Sequence, residues 1–304
     1  MSTVTTTGFW PAVRRVHRLE YPFPLAYACH GLWGAAYAVA TPAGLLNLPV
    51  LLAVVAAIIP IIAQNPLNAG QDIRSDSAHP GKHSIAVAAR RLGVRRTLWW
   101  SGTEFAVAIL LAALAGSPLA VSAVTVCVLL HLAYNLEPIR LKRRGFANPL
   151  YFGLTFGFLP FLTSFAAARA DLPGWAWLVG AGFGGLMAGR TLWWAVPDRD
   201  ADAAGGDRTL VVWLGARRAW LTACLLTATG IAVLGWGVWL RLGPAWALVA
   251  LAATGLFLVI KLRELGRVRD DRLPSERRMR LRTLTVVTLT DTLVTLVPLI
   301  ASMI

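Results

Sequence analysis

The chain alternates long apolar runs with short polar ones. Windows of the length a helix needs to cross a hydrocarbon core, about 20 residues for about 30 Å, fall at 22–41, 46–68, 97–115, 117–136, 149–168, 174–197, 219–240, 243–262 and 284–303. Open sheet edges are not tolerated at that depth, so the windows predict nine transmembrane α-helices in one domain spanning 1–304. The residues ahead of the first window are polar and basic (Arg14, Arg15, His17, Arg18) and lack a small-residue cleavage site. That window therefore reads as a retained helix rather than a secretory signal.

Composition supports the bilayer as solvent. Hydrophobic residues make up 57% of the chain and charged ones 14%, against roughly 25% charged in soluble globular proteins. A soluble enzyme, a disordered tail and a secreted disulfide scaffold are all excluded on that ground. Cys29, Cys127 and Cys224 sit singly in apolar runs, as small core residues would, and form neither a disulfide framework nor a zinc pattern.

The net charge of +14 is distributed by loop. Three Arg lie in the N-terminal tail, six Lys/Arg in 69–96, four in 137–148, four in 198–218 and nine in 261–282, which accounts for 26 of the 29 basic residues. By the positive-inside rule the tail and these loops are cytoplasmic, and nine spans leave the C-terminus outside. A one-sided excess beside membrane spans is a topology signal, so nucleic acid is not an expected partner.

The acids are more informative. Six of the 15 carboxylates fall in two of these loops, and the loops resemble each other. The first contains Asn68, Asp72, Asp76, Lys82, Ser84 and a closing Leu92-Gly93-Val94-Arg95-Arg96; the second contains Asp198, Asp202, Arg208, Thr209 and Leu214-Gly215-Ala216-Arg217-Arg218. Both read Asp-x3-Asp with a basic residue six positions later, and both follow an even-numbered span. A duplicated unit would set the two clusters facing each other. Four residues advance a helix by about 400°, so Asn68, Asp72 and Asp76 share one stripe, and Asp198 and Asp202 another. Stacked carboxylates repel unless a cation lies between them, and oxygen ligands without His or Cys select Mg²⁺. Arg74, Lys82, Arg199 and Arg208 in the same loops would meet phosphate charge. Acids that merely finish a span and stay solvated explain one such cluster well; they explain two matched ones poorly.

With Tyr134-Asn135-Leu136-Glu137-Pro138-Ile139-Arg140-Leu141-Lys142-Arg143 between the fourth and fifth spans, these motifs resemble those of the UbiA superfamily of intramembrane prenyltransferases. The resemblance covers nearly the whole chain and implies nine helices around a central chamber. It also implies two Mg²⁺ ions held by Asn68, Asp72, Asp76, Asp198 and Asp202, with the four Asp catalytic and Tyr134, Arg140 and Lys142 joining the diphosphate site. The implied reaction ionises an isoprenoid diphosphate and alkylates an aromatic or other lipophilic acceptor. A terpene cyclase that quenches the cation internally is the alternative, and a transporter is a weaker one, since transporter repeats are marked by broken helices and midplane polar sites.

Other residues carry expectations of their own. An allylic cation needs π-faces, and Trp99, Trp100, Tyr151, Phe152, Phe156, Trp193 and Trp194 lie near the motif loops; an interfacial belt is the plainer reading of any one of them. Glu104 is either a proton acceptor or an interhelical partner. His131 and His30 read as packing histidines, and Asp291 as a helix-to-helix hydrogen bonder. Arg190 either neutralises the second acid cluster or reaches phosphate. Arg277, Arg278, Arg280 and Arg282 read as an anionic-lipid contact or as topology. The Gly180–Gly185 stretch suits close helix packing within or between chains.

Overall fold

The computed structural model describes residues 8–20, 22–78, 81–269 and 276–304, with the side chains of Ala78 and 276–283 left aside. The arginines at 277–282 therefore lie outside the described side chains.

A long helix occupies each predicted window: α1 (Phe23–Ala38), α2 (Leu48–Gln71), α3 (Val94–Leu114), α4 (Pro118–Asn135), α5 (Ala147–Ala168), α6 (Gly174–Ala195), α7 (Ala216–Leu242), α8 (Pro244–Leu265) and α9 (Glu276–Ala301). Seven of them, all but α1 and α6, contain segments long and apolar enough to cross a membrane. Helix α1 has only 16 residues, and α6 carries six glycines and four tryptophans. The protein is an all-α, multi-pass membrane protein. Helix α5 is not uniform, because its Gly153–Phe158 section is a π-helical turn. Such turns insert one residue and re-aim the side chains around them.

Consecutive helices pack in order, and α9 returns to α1 to close the ring; α5 also touches α1 and α2. Small residues permit the closest crossings. A Cβ on Gly34 of α1 would sit 1.8 Å from the Phe161 carbonyl oxygen of α5, and one on Gly182 of α6 would sit 2.6 Å from the Leu234 backbone of α7. Gly184 faces Gly153 of α5. The glycine stretch of α6 thus serves packing within this chain.

The polar connections are built from short helices. Ile73–Ala78 and His83–Leu92 follow α2, and Arg199–Ala204 and Leu210–Leu214 follow α6. Gly93 (φ +86°) and Gly215 (φ +76°) make similar turns into α3 and α7, in a region of backbone space closed to other residues. The amphipathic helix Phe9–Val16 buries Ala12 and Val16 with Ala69, Ala88, Ala89 and Leu92, laying the N-terminal segment against the first motif loop.

Three of the buried polar residues singled out in sequence find partners across helices. His17 Nε2 pairs with Glu104 Oε1 at 3.0 Å, which gives Glu104 the interhelical role. His131 Nδ1 meets the Tyr151 hydroxyl at 2.6 Å, as a packing histidine would. Arg190 turns away from the acid cluster: its Nη1 donates to Asp291 Oδ1 at 2.6 Å, which is the helix-to-helix hydrogen bond expected of Asp291 and also a buried ion pair.

Candidate functional site

Helix α2 ends at Gln71, and Asp72 caps it with its backbone out of the helical region (φ −104°, ψ 13°). Backbone hydrogen bonds nevertheless continue from Asp72 N to Asn68 O (2.9 Å) and from Asp76 N to Asp72 O (2.8 Å), which preserves the four-residue stripe. Asn68 Nδ2 donates to Asp72 Oδ2 at 2.8 Å and to Asn135 Oδ1 at 3.0 Å. Asn135, at the end of α4, donates in turn to the His131 carbonyl at 2.9 Å.

Two cations from the loop after α4 converge on the same carboxylate. Arg140 Nη2 donates to Asp72 Oδ1 at 3.0 Å, and Lys142 Nζ donates to both Asp72 oxygens. Arg140 reaches inward from a left-handed backbone (φ 39°) and also donates to Glu137 at 2.9 Å.

The second cluster is assembled at the end of α6, where Val196–Asp198 tightens into a 3₁₀ turn with Pro197. Lys82 Nζ crosses from the first motif loop and donates to Asp198 Oδ2 at 2.9 Å. Thr209 Oγ1 donates to Asp202 Oδ2 at 3.2 Å and accepts from Val212 N at 3.4 Å, so it serves the carboxylate and caps the next helix together. Arg143 Nε pairs with Asp207 at 2.7 Å, and a two-residue parallel bridge joins Arg144–Gly145 to Arg208–Thr209. Both acidic loops and the loop after α4 therefore form one polar basin.

Burial pushes Asp76 above the usual carboxylate range, and neighbouring Asp72 adds to the shift while Lys82 opposes it. Burial likewise pushes Asp202 up to about 6, with Asp198 contributing. Lys142 is pulled below the usual lysine range by burial, against the attraction of Asp72. Carboxylates that resist ionisation in this way are stabilised by any cation that enters. Among the described residues no three His, Cys, Asp or Glu side chains gather closely enough to hold a metal ion. Basic groups stand between the acids instead.

Residues 28–284 match the UbiA prenyltransferase family. The chain belongs to that family. It is a prenyl-transferring enzyme embedded in the membrane. No curated protein matches it. A UbiA homologue from Archaeoglobus fulgidus bound to GPP and Mg²⁺ shares the fold, with TM-score 0.76 and 18% identity over 96% of this chain and 100% of that one. An apo UbiA homologue from Aeropyrum pernix K1 has TM-score 0.66 and 17% identity over 87% and 95%. A structure of digeranylgeranylglyceryl phosphate synthase has TM-score 0.67 and 14% identity over 97% and 98%.

The residues predicted from sequence divide. Asn68, Asp72, Arg140 and Lys142 come together, as do Lys82 and Asp198 across the two loops. Arg199 donates to its neighbour Asp200 at 2.8 Å, and Arg74 and Arg208 are exposed. Tyr134 is buried and stacked on Tyr151 at 3.9 Å. Of the predicted aromatics, Phe152 meets Tyr134 at 5.5 Å and Phe156 meets Phe152 at 4.9 Å, which extends an aromatic wall inward from the basin. Trp99 is 65% exposed, Trp100 packs on the N-terminal segment, and Trp193 lies beneath Lys261 against Trp220, so these three do not join that wall. Asn135 and Thr209 stand within the motifs read from sequence, but neither was assigned a role there. The signal for Asn135 was a polar side chain closing an apolar span four residues after His131; for Thr209 it was the N-cap position of Leu210–Leu214.

Proposed function

We propose that the protein binds an isoprenoid diphosphate with Mg²⁺ in the basin between Asp72 and Asp198, on the cytoplasmic side, and transfers the prenyl group to a lipophilic acceptor. The Lys82–Asp198 bridge carries this reading, because it draws the two acidic motifs to one place. The A. fulgidus relative bound to GPP and Mg²⁺ supports it.

The donor set fits a hard divalent cation. Asn68, Asp72, Asp76, Asp198 and Asp202 offer only oxygen, and the carboxylates of Asp72 and Asp198 already hold the positive charges of Lys142, Arg140 and Lys82. Two Mg²⁺ ions held by these five residues would supply neutralisation of the charge that develops on the departing diphosphate. Lys82, Arg140 and Lys142, relieved of the carboxylates, would turn to phosphate oxygens, while Arg74, Arg199 and Arg208 add positive potential at the rim. The allylic C–O bond breaks and its electron pair leaves with the diphosphate. Tyr134, Phe152 and Phe156 present π-electrons to the resulting cation and exclude water from it. The acceptor atom forms the new bond to the prenyl carbon and releases a proton.

Asp72→Ala and Asp198→Ala should each abolish Mg²⁺-dependent release of diphosphate from geranyl diphosphate while the helical content stays that of wild type, and EDTA should do the same. Turnover retained in either variant would rule the basin out. A cyclic hydrocarbon formed without any acceptor would assign ring closure in place of transfer.

A further inference from the structure

A second polar cluster lies inside the ring, away from the basin, where α1, α6 and α9 meet. Arg190 of α6 holds Asp291 Oδ1 of α9, and Asp291 Oδ2 lies 3.5 Å from His30 Nε2 of α1. All three side chains are buried, with residue exposures of 6%, 2% and 3%. An interhelical tie needs only one Arg–Asp contact. Here six buried polar atoms have no hydrogen-bond partner among the described residues: both ring nitrogens of His30, Trp33 Nε1, Arg190 Nε and Nη2, and Asp291 Oδ2. Ionisable groups kept at such cost within a membrane mark a functional path.

The order of contacts is that of an oriented base. Arg190 fixes one carboxylate oxygen, the other faces His30 Nε2, and Nδ1 is buried without a hydrogen-bond partner among the described residues. The distance of 3.5 Å is long for a hydrogen bond, as catalytic contacts commonly are before substrate enters. The imidazole lies 4.5 Å from the Trp33 ring and 6.3 Å, edge to face, from Phe156. Phe156 belongs to the aromatic wall that begins at Tyr134 beside the basin. Depth agrees as well. His30 lies seven residues into α1, about 10 Å, and Arg190 precedes Asp198 by eight, about 12 Å. A cation formed at the basin would extend its carbons toward this level.

We propose that His30, oriented by Asp291 and Arg190, is the catalytic base that removes the last proton. The inference rests on the diphosphate reading above. With the hydrogen of the neutral imidazole on Nε2 toward Asp291, the Nδ1 lone pair takes a proton. If an acceptor has been alkylated, the electrons of its C–H or O–H bond return to the acceptor. If none is present, a C–H pair beside the cation becomes the double bond of an alkene. The imidazolium is held beside the Asp291 carboxylate and passes its proton to water between turnovers. His30 is the catalytic residue in this step; Asp291 and Arg190 are positioning residues.

The test uses the full-length protein with geranyl diphosphate and Mg²⁺ and no acceptor. Alkenes, which require a base, and alcohols, which form when water captures the cation, are both measured per diphosphate released, so that lost folded protein cancels. His30→Ala should lower the alkene-to-alcohol ratio by about a hundredfold, the lower end of what a general base contributes. Added imidazole should restore it. Asp291→Asn should shift the ratio the same way by a smaller factor. An unchanged ratio in His30→Ala, or a fall that imidazole fails to reverse, overturns the inference while leaving the diphosphate reading intact. Wild-type protein that releases no diphosphate overturns both.

Discussion

Lys82 and Asp198 are 116 residues apart in the chain and meet at 2.9 Å, each from one copy of the repeated acidic loop. The contact makes two weak motifs into one site. It also places a cation where the carboxylates would otherwise repel. Lys82→Met should reduce kcat/KM for geranyl diphosphate by about 10- to 100-fold, matching the roughly 1.5–3 kcal/mol of a charge-assisted hydrogen bond. Lys82→Arg should recover part of the loss in initial-rate assays, and equal rates for Lys82→Met and wild type would remove Lys82 from substrate binding.

The pH dependence of stability follows from Asp202. Its carboxyl is near 3.8 when unfolded and about 6 when folded, so between these values the folded chain holds the extra proton. Stability is therefore greatest at the acid end and falls as pH rises toward 6, above which it levels off. Asp76 acts in the same direction, and so does His17, where burial, the largest single influence, is outweighed only by the hydrogen bond to Glu104, the charge of Glu104 and the hydrogen bond to the Val13 carbonyl together. In EDTA the melting temperature should be higher at pH 5 than at pH 7.5, with a smaller difference in Asp202→Asn. Mg²⁺ should raise the melting temperature more at pH 7.5 than at pH 5, because it requires the ionised carboxylates. A flat profile with EDTA would contradict the sign.

Asn135 connects the first motif to α4. Asn135→Ala would leave the Asn68 amide short of one acceptor inside the protein, a loss of about 1–3 kcal/mol. The expected result is a rise in the Mg²⁺ concentration for half-maximal activity with helical content preserved. An unaltered Mg²⁺ dependence would show that Asn68 needs no second partner.

Gly34→Ala should destabilise the crossing of α1 and α5, since its Cβ would fall 1.8 Å from the Phe161 carbonyl oxygen. Backbone must move, at a cost of about 1–3 kcal/mol or more. Thermal unfolding in detergent should show a clear drop in midpoint, whereas Gly102→Ala, where a Cβ meets nothing within 4 Å, should not. Equal midpoints would mean that the crossing relaxes freely.

The nine windows predicted from hydropathy are all helical, because span length and apolar content are local properties that a bilayer reads directly. The Asp-x3-Asp repeat was equally legible, down to its closing Leu-Gly-x-Arg-Arg, since Gly93 and Gly215 make similar local turns. Two windows, those of α1 and α6, fall short of a free-standing span and lean on neighbours instead.

The choice of partners was not legible. Charge alone left Arg74, Lys82, Arg199 and Arg208 equivalent, yet the loop after α4 delivers Arg140 and Lys142 to Asp72, while Arg199 goes to Asp200. Arg190, two turns from Asp198 along one helix, pairs with Asp291 on another. The solvent, the helices and the identity of the acids depend on composition and short spacing, so they can be read from the chain directly. Which cation meets which carboxylate is settled by the folded arrangement, because an ion pair a few ångströms across depends on where distant helix ends come to rest.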